Sequence, residues 1–114
     1  MSADCIFCKI VRGEIPSNKI YEDDFVIAFV DLHPQAKRHY LFIHKNHSRN
    51  INDMISDEKS VAQIFHAIKK YTQQELLEGD GFRVVTNLGK NAGQTVFHTH
   101  FHVLAGEKLG RFGS

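Results

Sequence analysis

The chain has little of what several protein classes depend on. Its 114 residues include two cysteines, two prolines and no tryptophan. Cys5 and Cys8, three positions apart, cannot build a secreted disulfide framework. No run of apolar residues is long enough to span a bilayer. The opening Met-Ser-Ala-Asp-Cys-Ile lacks the basic stretch and apolar run of a secretory leader. A reducing cytoplasm is therefore the expected setting. An excess of one charge is also missing: 14 Lys and Arg against 13 Asp and Glu leave +1, so neither nucleic acid nor an anionic membrane is an expected partner. No repeat, low-complexity run or linker divides the sequence, and a single domain over residues 1–114 is expected. Such a domain buries one core but is small enough to gain from a metal or a second copy.

What the chain does have is histidine, eight in all. Three of them alternate in His98-Thr99-His100-Phe101-His102-Val103-Leu104. In a strand, alternate side chains share a face, so three imidazoles line one side while Thr99, Phe101 and Val103 turn to the core. A solvated face without a role, or a metal site made by the strand alone, would fit the same spacing. Imidazole in a row is above all a group for proton transfer, nucleophilic attack or metal ligation.

Around that strand the pattern is α+β. A short helix is expected from Cys5 to Gly13, with Ile6, Phe7, Ile10 and Val11 as its apolar stripe. Strands are expected over 19–22, 25–30 and 39–44, the first two joined by the acidic turn Glu22-Asp23-Asp24. Ser56 is a good N-cap for a long helix ending at Gly79, with Val61, Ile64, Phe65, Ile68, Tyr71 and Leu76 at helical spacing. Further strands are expected from Phe82 to Asn87 and from Thr95 to Ala105. Few helices interleaved with these strands predict a largely antiparallel sheet.

The loop leading into the histidines is polar and carries Gly89 and Gly93, which permit close backbone approach, followed by Gln94 and Thr95 as donors. That combination suits a phosphate cradle. Cys5-x-x-Cys8 reads as a redox pair, two idle thiols or half a zinc site. No strand is expected before residue 5, which speaks against the redox form.

The run from Gly93 to Leu104 resembles the signature of the histidine-triad (HIT) superfamily. Cys5-Ile6-Phe7-Cys8-Lys9-Ile10, Gly13-Glu14-Ile15-Pro16, Ala28-Phe29-Val30-Asp31, Pro34-Gln35-Ala36 and Lys45-Asn46-His47 resemble its Hint branch in order and spacing. The resemblance implies an enzyme that hydrolyses purine nucleoside phosphoramidates through a nucleotidyl-histidine, with a triad of His98, His100 and His102. His100 would be the nucleophile, and His102 would contact phosphate and help the amine depart. Asn87, Gly93, Gln94 and Thr95 would serve the phosphate, Asp31 the ribose hydroxyls, and Phe7, Ile10, Phe29 and Leu32 an apolar slot for the base. For Ile10, Phe29 and Leu32 plain core packing is the competing reading, and for Asp31 a capping role. The cysteine pair resembles that of a zinc-binding subgroup, with His47 and His98 as the matching ligands of a structural Zn2+. His33, His39, His44 and His66 have no matching partners and are expected at the surface or in structural roles. The family precedent is a homodimer with a continuous sheet. A dinucleoside polyphosphate hydrolase and a non-catalytic nucleotide-binding scaffold are the alternatives. The sequence departs from the branch in lacking its tryptophan- and proline-containing tail, and in placing His33 where a small polar residue is usual.

Overall fold

The computed structural model describes residues 5–111. Residues 1–4 and 112–114, and with them both ends of the expected 1–114 domain, lie outside the described part. Five strands, β1 (Lys19–Glu22), β2 (Val26–Val30), β3 (Arg38–His44), β4 (Phe82–Val85) and β5 (His100–Ala105), form one antiparallel sheet in the order β1-β2-β3-β5-β4. Three α-helices accompany it: α1 (Ile6–Val11), α2 (Ile51–Met54) and α3 (Glu58–Gln74). The α+β class and the antiparallel sheet are as the sequence predicts. No described helix is long and apolar enough to cross a membrane.

Alternation sorts the strands onto two faces. Val26, Ala28, Phe42, Phe101 and Val103 turn to α3 and meet Ile64, Ala67, Ile68 and Tyr71. Ile27, Phe29, Leu41 and Ile43 turn the other way, onto Phe7, Cys5 and Cys8 at α1. β2 and β3 are thus buried on both faces, which is why they read as nearly unbroken apolar runs. Removing a ring such as Phe42, which has no exposed surface, would cost about 3–5 kcal/mol.

Several boundaries differ from the sequence expectation, each for a local reason. The long helix is capped by Asp57 and not Ser56; the Asp57 carboxylate accepts the Ser60 hydroxyl at 2.9 Å. The helix ends at Gln74, before the expected Gly79. Leu76 takes the left-handed φ of 57°, the Leu76 N–H reaches Gln73 O and the Leu77 N–H reaches Thr72 O. This is a Schellman close built on leucine where glycine is usual, and it leaves Leu76 85% exposed rather than in the helical stripe. Helix α2 was not expected, although Asn50 and Asp53 carry its signal: Asn50 Oδ1 accepts the Asp53 N–H and Asp53 Oδ2 the Arg49 N–H. β4 stops at Val85 and not Asn87, because the Thr86 hydroxyl takes the His100 carbonyl at 2.9 Å. β5 begins at His100 and not Thr95, so His98 lies ahead of the strand and not on it.

Candidate active site and metal centre

The face of β5 opposite α3 carries His100 and His102. Beside them opens a cleft of about 320 Å3, walled by α1, the end of β2 and the 93–96 loop. Phe7, Ile10, Phe29, Leu32, Asp31, Asn87, Gly93 and Thr95 all line it, as do both histidines. The structure therefore gathers nearly all the residues assigned by sequence to base, ribose and phosphate. Phe7 and Phe29 are core and wall at once, packed edge to face at 5.5 Å. Leu32 is not core: it stands 89% exposed beside the cleft.

Two assignments need correction. The Gln94 side chain is buried and does not line the cleft; its Oε1 accepts the Gly89 N–H and its Nε2 donates to the carbonyls of Arg49 and Val96. It braces the loop rather than presenting a donor. His98 is fully buried and also stands away from the cleft. It cannot touch a substrate there, so its catalytic assignment does not hold.

Hydrogen bonds assign the ring protons. His100 Nδ1 sits 2.7 Å from the His98 carbonyl. Only an N–H can face that oxygen, which leaves the lone pair on Nε2. His39 Nδ1 accepts the Gln35 N–H at 2.9 Å, so its own proton is on Nε2. That proton points to His102 Nδ1, 2.8 Å away, and His102 in turn holds its proton on Nε2. His100 thus offers a lone pair and His102 a donor. Burial drives His100 down from the ordinary histidine value; it also drives His102 down to about 4, helped by His100 and His39 and opposed by Asp31. Both rings are neutral near pH 7.

His39 is the residue that the sequence reading missed. Of the surface and structural roles expected for it, it takes the buried one, lying behind His102 with Asp31 Oδ2 3.3 Å from its Nε2. Only the strand register, Leu41 opposite His102 and His39 opposite Leu104, brings the two rings together. Nothing within either strand records that register. Asp31 has a double role here, since its other oxygen caps the turn at the His33 N–H. His44 is also buried, bonded to Gln63.

Behind the cleft a second group assembles. The Sγ atoms of Cys5 and Cys8 and the Nδ1 atoms of His47 and His98 all lie within 4.8 Å of one another. Cys8 Sγ to His47 Nδ1 is 3.4 Å, Cys5 Sγ to His98 Nδ1 3.4 Å, and the two Nδ1 atoms are 3.2 Å apart. A tetrahedral zinc with bonds of about 2.3 Å to sulfur and 2.0 Å to nitrogen separates its ligands by roughly 3.3–3.8 Å. The donor set therefore fits the ion. His98 donates Nε2–H to the His44 carbonyl at 2.9 Å, which turns its Nδ1 lone pair into the group, as a metal-ligating histidine requires. Burial and the neighbouring Cys5 push the Cys8 thiol up to about 11, so thiolate at this position calls for a cation.

An antiparallel α+β sheet with paired histidines over a narrow cleft defines the class. The HIT domain family model matches residues 12–109, and the chain belongs to that family. The purine nucleoside phosphoramidase of Escherichia coli K12 is 39% identical over 111 residues, covering 96% of this chain and 93% of that protein. A histidine triad protein from Clostridium difficile superposes with a TM-score of 0.93 at 44% identity, 98% of each chain being covered. A HIT family hydrolase from Legionella pneumophila gives 0.92 at 40% identity, over 97% of this chain and 100% of the other.

Proposed function

We propose that the protein hydrolyses purine nucleoside 5′-phosphoramidates by way of a nucleotidyl-histidine. The observation that carries this reading is the His100 tautomer, Nδ1–H on the His98 carbonyl and Nε2 free beside an apolar cleft. His100 Nε2 attacks the α-phosphorus, the P–N bond breaks, and the amine leaves with the bonding pair. The amine takes a proton from solvent by way of the His102 Nε2–H. Water then displaces His100 from phosphorus and releases the nucleotide. Asn87, Gly93 and Thr95 hold phosphate oxygens, Asp31 the ribose, and Phe7, Ile10 and Phe29 the base, with Leu32 at the mouth. The Escherichia coli relative, a purine nucleoside phosphoramidase, supports the choice of substrate.

In the same reading Cys5, Cys8, His47 and His98 hold a structural zinc, which supplies a cross-link between α1, the 45–48 loop and the segment ahead of β5. A homodimer joined through the outer edge of β4, the last strand of the sheet, completes the assembly. A reducing cytoplasm keeps the two thiols available.

The test is AMP release from adenosine 5′-phosphoramidate. The wild type should turn over, while His100→Ala should lose roughly 10^3-fold or more in kcat and still bind AMP. Cleavage of a dinucleoside polyphosphate in its place would favour the other hydrolase. AMP binding with no turnover of either substrate would favour a scaffold.

A further inference from the structure

His98 faces two ways. Its ring closes the four-donor group, and its main-chain oxygen receives the His100 Nδ1–H. The β3–β5 ladder begins at the Ile43–His100 pair, so the peptide carrying that oxygen lies outside the sheet. Its restraints come from the chain around His47. The Thr99 N–H donates to the Ser48 carbonyl at 2.8 Å, and the Ser48 and Thr99 hydroxyls lie 2.7 Å apart. Ser48 directly follows His47, itself one of the four donors. The His98 ring is held through Nε2 by the His44 carbonyl and through Nδ1 by the group. One anchor is thus the last residue of β3 and the other is the 45–48 loop, which His47 ties to α1 through Cys8.

We propose that the four-donor group positions the nucleophile: a divalent cation such as zinc held by Cys5, Cys8, His47 and His98 fixes the His98 carbonyl and with it the His100 tautomer. His98 is then a positioning residue. The catalytic half of this inference rests on the reading of His100 as nucleophile; the tautomer half stands on the hydrogen bond alone. Without the cation the 45–48 loop and the Nδ1 side of the His98 ring lose their tie to α1, leaving the ring only its Nε2 bond to β3, and the acceptor facing His100 Nδ1 moves. The His100 ring then exchanges between its two neutral forms, and the form protonated on Nε2 has no lone pair to attack with.

Titrating zinc into the metal-stripped full-length chain tests this. Two-bond 15N–1H correlation spectra read the His100 tautomer, and adenosine 5′-phosphoramidate turnover is measured at each point. The Nδ1–H fraction should rise with occupancy up to one equivalent, and kcat should rise roughly 10- to 100-fold with KM changed less than about twofold. A stripped protein whose His100 is already a single Nδ1–H tautomer, with kcat indifferent to zinc, overturns the proposal. Should the stripped chain unfold, His47→Gln keeps three donors and is read in the same way against the same two outcomes. A zinc-dependent tautomer without turnover at any occupancy upholds the positioning role and defeats the nucleophile reading. Turnover with neither readout dependent on zinc does the reverse.

Discussion

Cys5, Cys8, His47 and His98 form one cluster of metal-type side chains; Asp31, His39 and His102 form another, and each brings its donor atoms within 4.8 Å of one another. They differ in where the protons sit. In the first, the His44 carbonyl takes the His98 Nε2–H, so the Nδ1 lone pair points inward to two sulfurs. In the second, the Gln35 N–H occupies His39 Nδ1, so a proton and not a lone pair points from His39 Nε2 at His102 and Asp31. The first cluster is built to receive a cation; the second is already filled with a hydrogen bond. Similar residues at similar distances are thus assigned opposite chemistry by one backbone contact each.

The two clusters should differ most in metal content. Cys5→Ser with Cys8→Ser should drop zinc from about one per chain to below about 0.1, while Asp31→Asn leaves it at about one. Elemental analysis after dialysis decides, and zinc lost from the Asp31 variant would erase the distinction. A smaller effect is expected in turnover. His39→Ala removes the partner that orients His102 and should lower kcat about 10- to 100-fold with zinc content unchanged. His39→Gln, whose amide can still donate, should recover part of it, which a purely structural role would not predict. The smallest effect is on stability against pH. His102 is held at about 4 in the fold against about 6.5 unfolded. Above pH 6.5 the ring is neutral in both states. As pH falls from about 6.5 towards 4 the unfolded chain takes the proton first, so stability is lost over that window. His102→Gln should shrink the acid loss in Tm by a few degrees; parallel curves would show that His102 burial is not its source.

How much of this was legible depended on range. The alternation of Phe101 and Val103 with His100 and His102 fixed the faces of β5, because a period of two is a local property. Phe7, Phe29, Asn87 and Thr95, which the HIT resemblance picked out, line the cleft. His98 did not behave as a strand residue, since its ring binds the His44 carbonyl, 54 positions away, and its own carbonyl takes the His100 Nδ1–H. Gln94 looked like a phosphate donor, but its neighbours' carbonyls claim its amide. His39 gave no signal, because its partner His102 is 63 positions on. Leu76 misled the helix boundary in another way: its left-handed φ ends the helix in spite of a side chain that favours continuing it.

The double burial of β3 sets a clock for the whole molecule. Phe42 packs towards α3, Leu41 and Ile43 towards α1, and ladders flank the strand on both sides. Its amides have no route to solvent short of opening the entire sheet, so their deuterium uptake would report global unfolding. The 86–99 loop, outside any ladder, is free to exchange through local opening. The histidines of β5 sit on the boundary between these two regimes, one neighbour slow and the other fast.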